Sequence, residues 1–514
     1  MAHSRTGEVI SLDQWQAAIS QIRGINNRLH LAAAPVRITG LTPFDYLFPQ
    51  LQSDPAARLP EDTPEKTVAH LIALGGAMRE AGNDPKFDST IPAAYTYFGQ
   101  FVAHDIILEL QSDQLRNLDD PQLMPLSSAE VRSQIGNRRT PVLDLDSVYG
   151  VTSEGVPVPR DGALLLVGAV DPSGDRPPNK DAFNDLCRNP RDDDHPELDR
   201  AALIGDARND ENLITSQLHV AFLRAHNVLV ERGLSFSEAR KTLVLHYQWL
   251  IVHDFLKRIV DAQLVQEILT YGNRFYRPVP GKPYMPLEFS AAAYRFGHSM
   301  VRRQYDYNEN FQGDKAATLE ELFSVTAFSG QLKGFDHVPG KWIIEWQNFL
   351  DLGTNKARQI GPRLVEPLFE LRGVTGRPLP GVRSSLAVRN LLRGYVMRLP
   401  TGQSVATALG LPVLSPQEIE RAASAINPQQ ATVLREAGML ERTPLWYYIL
   451  AESAAKSPGA LGPVGSTLVA EVLIGLVRWS DDSILSQPGW KPTLGSQPGR
   501  FTMRDFFRLS GVWG

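Results

Sequence analysis

The chain holds one cysteine, Cys187, in 514 residues, so it cannot form an internal disulfide. That fits a reducing compartment, although a bacterial exported protein can equally lack disulfides. Long apolar runs are missing too. The most apolar late segment, Leu468 to Val477, is short and carries Glu471, and no stretch reaches the roughly 20 residues that span a bilayer. Met1 to Ile10 has no charged start leading into an apolar run, so no signal peptide is visible. The expectation is a cytoplasmic protein, or one exported by a non-classical route. Neither sign of charge dominates: 57 acidic against 52 basic residues leave a net charge of -5, which argues against a general nucleic-acid binder. There is no internal repeat or heptad array. What is present, 43% hydrophobic and 21% charged residues, is the composition of a soluble globular protein with a large core.

Helix signals dominate. Thr63-Pro64-Glu65 places a cap and a first-turn proline before an apolar-periodic run to Met78. Ser235-Phe236-Ser237-Glu238 reads as a capping box opening one helix through to Val260, and Ser415-Pro416-Gln417-Glu418 and Thr443-Pro444 open two more. Further helices are expected over 213–232, 291–302, 342–352, 386–398 and 465–478. Long Pro/Gly-rich connections at 171–200, 276–286 and 372–383 separate them, and loops of that length often wrap a functional site. The expected architecture is mainly α: one large helical domain over 61–514, with an N-terminal extension over 1–60 packed on it or preceding it.

The stretch Phe98-Gly99-Gln100-Phe101-Val102-Ala103-His104-Asp105 lies in a mostly apolar run from Ala94 to Leu110. Gln100 and His104, four apart, share one helical face, while Asp105 points elsewhere. Three polar groups among apolar neighbours need partners. Candidates recur along the chain: Arg208 and Glu211 in Asp206-Ala207-Arg208-Asn209-Asp210-Glu211, Arg295 and His298 in Tyr294-Arg295-Phe296-Gly297-His298, and Asn390 and Arg393 in Arg389-Asn390-Leu391-Leu392-Arg393. Each pair is three residues apart, and Gly297 allows close approach of something bulky. Thr140-Pro141-Val142-Leu143-Asp144-Leu145-Asp146 alternates oxygen-bearing side chains, a pattern able to wrap a hard cation.

In order and spacing these pieces resemble the animal-type haem peroxidases of the peroxidase–cyclooxygenase superfamily. The resemblance runs from Ile91 to Trp479 and includes Val148-Tyr149-Gly150, His219 to Leu229, Leu399-Pro400 and Leu461-Gly462-Pro463. It implies a helical fold around a buried haem, b-type or singly ester-linked, and reduction of hydrogen peroxide through compound I with oxidation of small electron donors. It also implies roles. His104 would transfer protons, Arg208 would stabilise developing negative charge, and Gln100 would orient water or a small anion. His298 would ligate the haem iron, with Asn390 accepting its second N–H. Arg295 and Arg393 would pair with the haem propionates. Asp105, Thr140, the Val142 carbonyl, Asp144 and Asp146 would form an oxygen-only calcium shell bracing the segment that carries His104.

The chain also departs from the mammalian pattern. Of three positions that attach haem covalently there, one is Ala103 here and one is Asn212, leaving Glu211 for at most one ester. Fewer links favour iodide, thiocyanate, bromide or phenols over chloride as donors. The absent disulfides and leader look like a bacterial member, with response to oxidative stress as a plausible setting. Two alternatives carry different chemistry. A fatty-acid dioxygenase or peroxygenase is one, but the dioxygenases place a tyrosine three residues before the iron ligand, where Arg295 stands. Tyr294, four before, is about 100° off that face. A non-catalytic haem-binding protein is the other, yet His104 and Arg208 are both retained. A non-haem metal site at His246 and His253 is disfavoured by their spacing of seven, which His219 and His226 repeat in ordinary packing helices.

Overall fold

The computed structural model describes residues 41–513 apart from 61–62, 81, 83, 111–116, 153–156, 179, 197, 280–281, 351–352 and 374–376. Met1 to Ile10, and with it the leader question, lies outside the described residues, as does most of the N-terminal extension. About half of the chain is helical, with a few short strands.

The helices that carry the architecture start where side chains satisfy their first N–H groups. Helix α1 (Pro64–Ala77) opens on Thr63, whose hydroxyl accepts from Lys66. Helix α2 (Ala94–Ile106) is the apolar run with the embedded polar residues. Asn212 caps α3 (Leu213–Glu231), and the Ser235/Glu238 capping box opens α4 (Phe236–Leu250). Helices α5 (Leu386–Val396), α6 (Leu445–Lys456) and α7 (Pro463–Trp479) complete the core. Helix α3 packs on α2, and α6 and α7 pack on the segment 288–300. That segment also touches α2, which brings the His104 and His298 stretches into one neighbourhood.

The sheet is small. Strands β1 (Thr42–Asp45), β2 (Glu109–Leu110), β3 (Gly136–Asn137) and β4 (Met285–Pro286) run in the order β2-β3-β1-β4. Thr42 pairs with Asn137 antiparallel and Phe44 with Met285 parallel. The described part of the N-terminal extension, residues 41–60, is stitched to the core. Leu47 and Phe48 donate their N–H groups to the buried Glu288 carboxyl at 2.7 and 3.1 Å, and the Tyr46 hydroxyl donates to the Met397 carbonyl at 2.8 Å.

Three expected helices differ. Helix α4 ends at Leu250, followed by a π turn, Ile251–Phe255, and one α turn, Leu256–Ile259. The wider turn sets the Asp254 carboxylate against the Tyr95 hydroxyl at 2.8 Å and the Met503 N–H at 2.9 Å. The expected 342–352 helix is a 3₁₀ turn, Gly340–Trp342, then a short helix, Trp346–Leu350. Most consequential, 291–302 is not a regular α-helix: a π segment, Glu288–Ala292, passes through a break at Ala292 (φ -131°, ψ -73°) into a 3₁₀ run, Ala293–Met300. In 3₁₀ geometry residues three apart eclipse, so Arg295 and His298 lie on one line.

Candidate active site

His104 sits in the last turns of α2, 6% exposed. Its Nδ1 lies 2.8 Å from the Asn209 side-chain oxygen. Burial and the nearby Arg208 guanidinium lower its pKa to about 3, so the imidazole is neutral at physiological pH. Arg208 comes from a 3₁₀ turn, Ala207–Asp210, whose N-cap Asp206 accepts from the Arg208 N–H. The same carboxylate receives Arg208 Nε at 3.0 Å and Nη2 at 2.7 Å. Nη2 also donates to the Ile107 carbonyl at 2.6 Å, just past the end of α2. Arg208 is thus tied to the helix that carries His104.

Asp206 is shared. Arg139 donates to it at 2.7 Å and to the Gly205 carbonyl at 2.6 Å, while its other terminal nitrogen meets Asp146 at 3.1 Å. Asp206 is held well below the usual carboxylate range by these two guanidinium groups. Gly205 is required by this close approach: a Cβ there would lie 2.7 Å from the carbonyl oxygens of both Asp146 and Ser147. Next along, Asp210 takes both terminal nitrogens of the buried Arg188 and the Ala327 N–H, pinning the far side of the turn.

Gln100 is fixed through its carbonyl, which accepts from Asn212 at 3.1 Å and from the Thr215 hydroxyl at 3.2 Å. Asn212, at one of the positions the resemblance associates with haem attachment, is both a helix cap and this anchor. Glu211 carries a carboxyl raised by burial, beside Arg208 and Arg389.

On the 3₁₀ run, His298 Nδ1 lies 2.9 Å from Asn390. The contact was expected, but its polarity is reversed: the amide nitrogen, not the oxygen, faces the ring. The Asn390 oxygen instead faces Arg295 Nη1 at 3.5 Å, a group that can only donate. Iron ligation through Nε2 needs a proton on Nδ1 and therefore the amide turned over, a rotation that preserves its shape. Burial and the nearby arginines lower the His298 pKa to about 3, leaving it neutral as a ligand must be.

The residues fit a dianionic macrocycle. Arg295, Arg389 and Arg393 gather around Glu109, which lies 3.5 Å from Arg393, with Glu211 also near Arg389. Nε of Arg295, Nε of Arg393 and Oε1 of Glu109 are buried without hydrogen-bond partners. Burial, then repulsion by neighbouring arginines, lowers Arg295 to about 9 and Arg389 to about 10. Two carboxylates would supply the missing acceptors and charge. A Cβ built on Gly297 meets nothing within 4 Å, so there is room beside His298.

The cation shell is less complete. Burial, together with repulsion among neighbouring carboxylates, raises the carboxyls of Asp105 and Asp144 above the usual carboxylate range. The Asp144 Oδ1 atom is buried without a partner. Yet Asp105 spends both oxygens on the N–H groups of Leu145 (3.2 Å) and Ser147 (3.0 Å), and Arg139 engages Asp146. Thr140 is exposed. Among the described residues no three His, Cys, Asp or Glu side chains are gathered as a metal-binding group. The donor chemistry fits a hard cation, but the arrangement is not a closed shell around one.

A family model described as animal haem peroxidase matches residues 114–473. The chain belongs to that family. Among curated relatives, a peroxidase-like protein of Margaritifera margaritifera is 27% identical over 280 residues, 44% of this chain and 34% of that protein. Heme peroxidase 2 of Caenorhabditis elegans is 23% identical over 477 residues, 80% of this chain and 62% of that one. The chain therefore spans about a third of the first relative's length and 62% of the second's. Peroxidase A of Dictyostelium discoideum shares the fold with a TM-score of 0.54 at 15% identity, over 92% of this chain and 94% of that one. A fatty acid alpha-dioxygenase of Oryza sativa shares it with a TM-score of 0.51 at 14% identity, over 77% and 70%. The mainly α peroxidase fold and membership of the peroxidase–cyclooxygenase superfamily stand on these matches.

Several residues of the site carried no assigned role in the sequence reading: Arg139, Asp206, Asn209, His219, Arg389 and Glu109. Asn209 and His219 lay inside the recognised stretches, and their signal was a fully buried polar side chain needing a partner.

Proposed function

We propose that the chain is a haem-dependent peroxidase that reduces hydrogen peroxide and oxidises small donors. The observation that carries this reading is the pairing, on touching segments, of a neutral buried His104 beside an anchored Arg208 with a neutral His298 backed by Asn390. His298 would hold the haem iron, and Arg295, Arg389 and Arg393 its carboxylates. When bound, haem would supply the two electrons that peroxide reduction consumes. His104 Nε2, the ring nitrogen facing away from Asn209, would take a proton from the peroxide and return it to the departing oxygen. Arg208 would support the negative charge that develops there, held in place by Asp206 without reorganisation. Gln100, its oxygen occupied by Asn212 and Thr215, would offer its N–H groups to water or a small anion. Iodide, thiocyanate, bromide and phenols are the proposed donors.

A calcium ion near Asp144 and Asp146 belongs to the same proposal, supported by the partnerless Asp144 oxygen, and so does a single ester through Glu211. The dioxygenase reading is disfavoured by Tyr294. Its ring stacks on Phe289 at 4.7 Å, and in a 3₁₀ run a residue four before His298 is rotated about 120° from it. The test is peroxide consumption by the haem-loaded chain with iodide, thiocyanate or guaiacol. Catalytic turnover above free haem supports the reading, and none with any of them overturns it.

A further inference from the structure

His104 and His219 are joined through one amide. The Asn209 side-chain oxygen lies 2.8 Å from His104 Nδ1, and its nitrogen lies 3.0 Å from His219 Nδ1. An amide oxygen can only accept and an NH₂ group can only donate. In the orientation shown, His104 carries its proton on Nδ1, and His219 keeps Nδ1 as an acceptor with its proton on Nε2. Asn209 and His219 are both fully buried. Asn209 is held by its own N–H to the Asp206 carbonyl at 3.0 Å, and lies between residues anchored by Asp206 and Arg188. The His219 ring meets Phe101 of α2 edge-on at 6.0 Å, and its Nε2 is buried without a partner beside a small cavity that Cys187, Leu203 and Leu223 also line.

We propose that Asn209, bridging His104 to His219, fixes the tautomer of His104, so that Nε2 presents a lone pair towards the peroxide. Both are positioning residues, and the proposal rests on the reading of His104 as the proton-transferring group. An amide alone has two orientations of equal shape. Turned over, it would leave His104 with its proton on Nε2 and no base to offer. His219 couples to that choice: its Nδ1 accepts from the NH₂ group in the orientation shown, and it would have to donate to the oxygen if the amide turned over. An amide neither gains nor loses a proton here, so it fixes the ring without offering a second destination for the proton. In the transfer, the peroxide O–H bond breaks, the proton bonds to Nε2, and the Nδ1–H bond to Asn209 stays in place.

The test reads the rings directly. The full chain is labelled with ¹⁵N-histidine and reduced under carbon monoxide, so that any bound haem is diamagnetic, and His104 and His219 are assigned by His104→Gln and His219→Gln. The expected pattern is a protonated Nδ1 with an unprotonated Nε2 for His104, and the reverse for His219. Asn209→Val should lose the His104 pattern and slow peroxide reaction by about 10- to 100-fold, less than loss of the base itself. Asn209→Asp, isosteric and still an acceptor, should keep it. His219→Leu should give His104 a mixture of tautomers, whereas His219→Gln, which can still accept, should not. A wild-type His104 protonated on Nε2, or an unchanged ring in Asn209→Val, overturns the proposal. Should Asn209→Val fail to fold, the wild-type, Asn209→Asp and His219→Leu spectra decide it. Loss of all peroxide turnover would instead count against the peroxidase reading, since the ring spectra do not depend on turnover.

Discussion

Removal of the Asp206 carboxylate should damage the fold and the site together. Asp206 is 2% exposed at its side chain and stands between Arg139, 6% exposed, and Arg208, 27% exposed. It accepts three charge-assisted hydrogen bonds at 2.7–3.0 Å from the two guanidinium groups, and it caps the turn that carries Arg208. Asp206→Ala would leave Arg139 buried with Asp146 as its one remaining close ion-pair partner among the described residues. Breaking a buried pair by removing one partner costs about 3–5 kcal/mol, and a lost cap adds roughly 1. The discount for Arg208, which keeps some solvent, places the expected loss near the lower end of that range. Against a total stability of roughly 5–15 kcal/mol, that is a large shift in the urea midpoint. The double variant Arg139→Met/Asp206→Leu should lose less than Asp206→Ala, because it removes the unpaired charge along with its partner. Peroxide reaction should fall in both, since Arg208 loses its anchor. A wild-type midpoint in Asp206→Ala, or a double variant worse than the sum of the singles, would refute the reasoning.

Three further outcomes are expected. His104→Ala should slow the reaction with peroxide by ~10²–10⁴-fold in stopped-flow measurements while haem content stays near wild type, and an unaltered rate would place the proton transfer elsewhere. Calcium titrated into the chelator-treated chain should raise its melting temperature, and Asp144→Ala should abolish that rise; a rise that persists in the variant removes Asp144 from the site. After peroxide cycling, intact-protein mass spectrometry should find at most one haem bound per denatured chain and none in Glu211→Gln, whereas a link surviving in that variant would exclude Glu211 as its source.

Local signals made much of the fold legible. The Ser235/Glu238 and Ser415/Glu418 capping boxes and the Thr63 cap mark helix starts because each satisfies N–H groups within its own turn. The segment 288–300 was not legible. An apolar pattern with polar residues three apart suits an α-helix and a 3₁₀ run alike, and only packing against α6 and α7 decides between them. The site divides in the same way. His104, Arg208 and His298 stand out as polar residues in apolar surroundings, but their supports are long-range. Arg139 reaches Asp206 across 67 positions, and Asn209 reaches His104 across 105. The cation loop shows the limit of spacing as a guide. The pattern brought Asp105, Asp144 and Asp146 close enough to repel, yet the backbone N–H groups of Leu145 and Ser147 took the oxygens that a closed shell would need. Asn390 shows another: its contact with His298 was legible, whereas the choice of amide atom depended on Arg295.

The central claim is that His298 and the arginines around it hold a haem against the face that carries His104. Haem titration of the haem-free chain, followed by absorbance, tests it most directly. The expected result is saturable one-to-one binding with a histidine-ligated ferric spectrum in the wild type, lost or shifted in His298→Ala. Saturable binding with the same Soret band in His298→Ala, or no saturable binding to the wild-type chain, would contradict it.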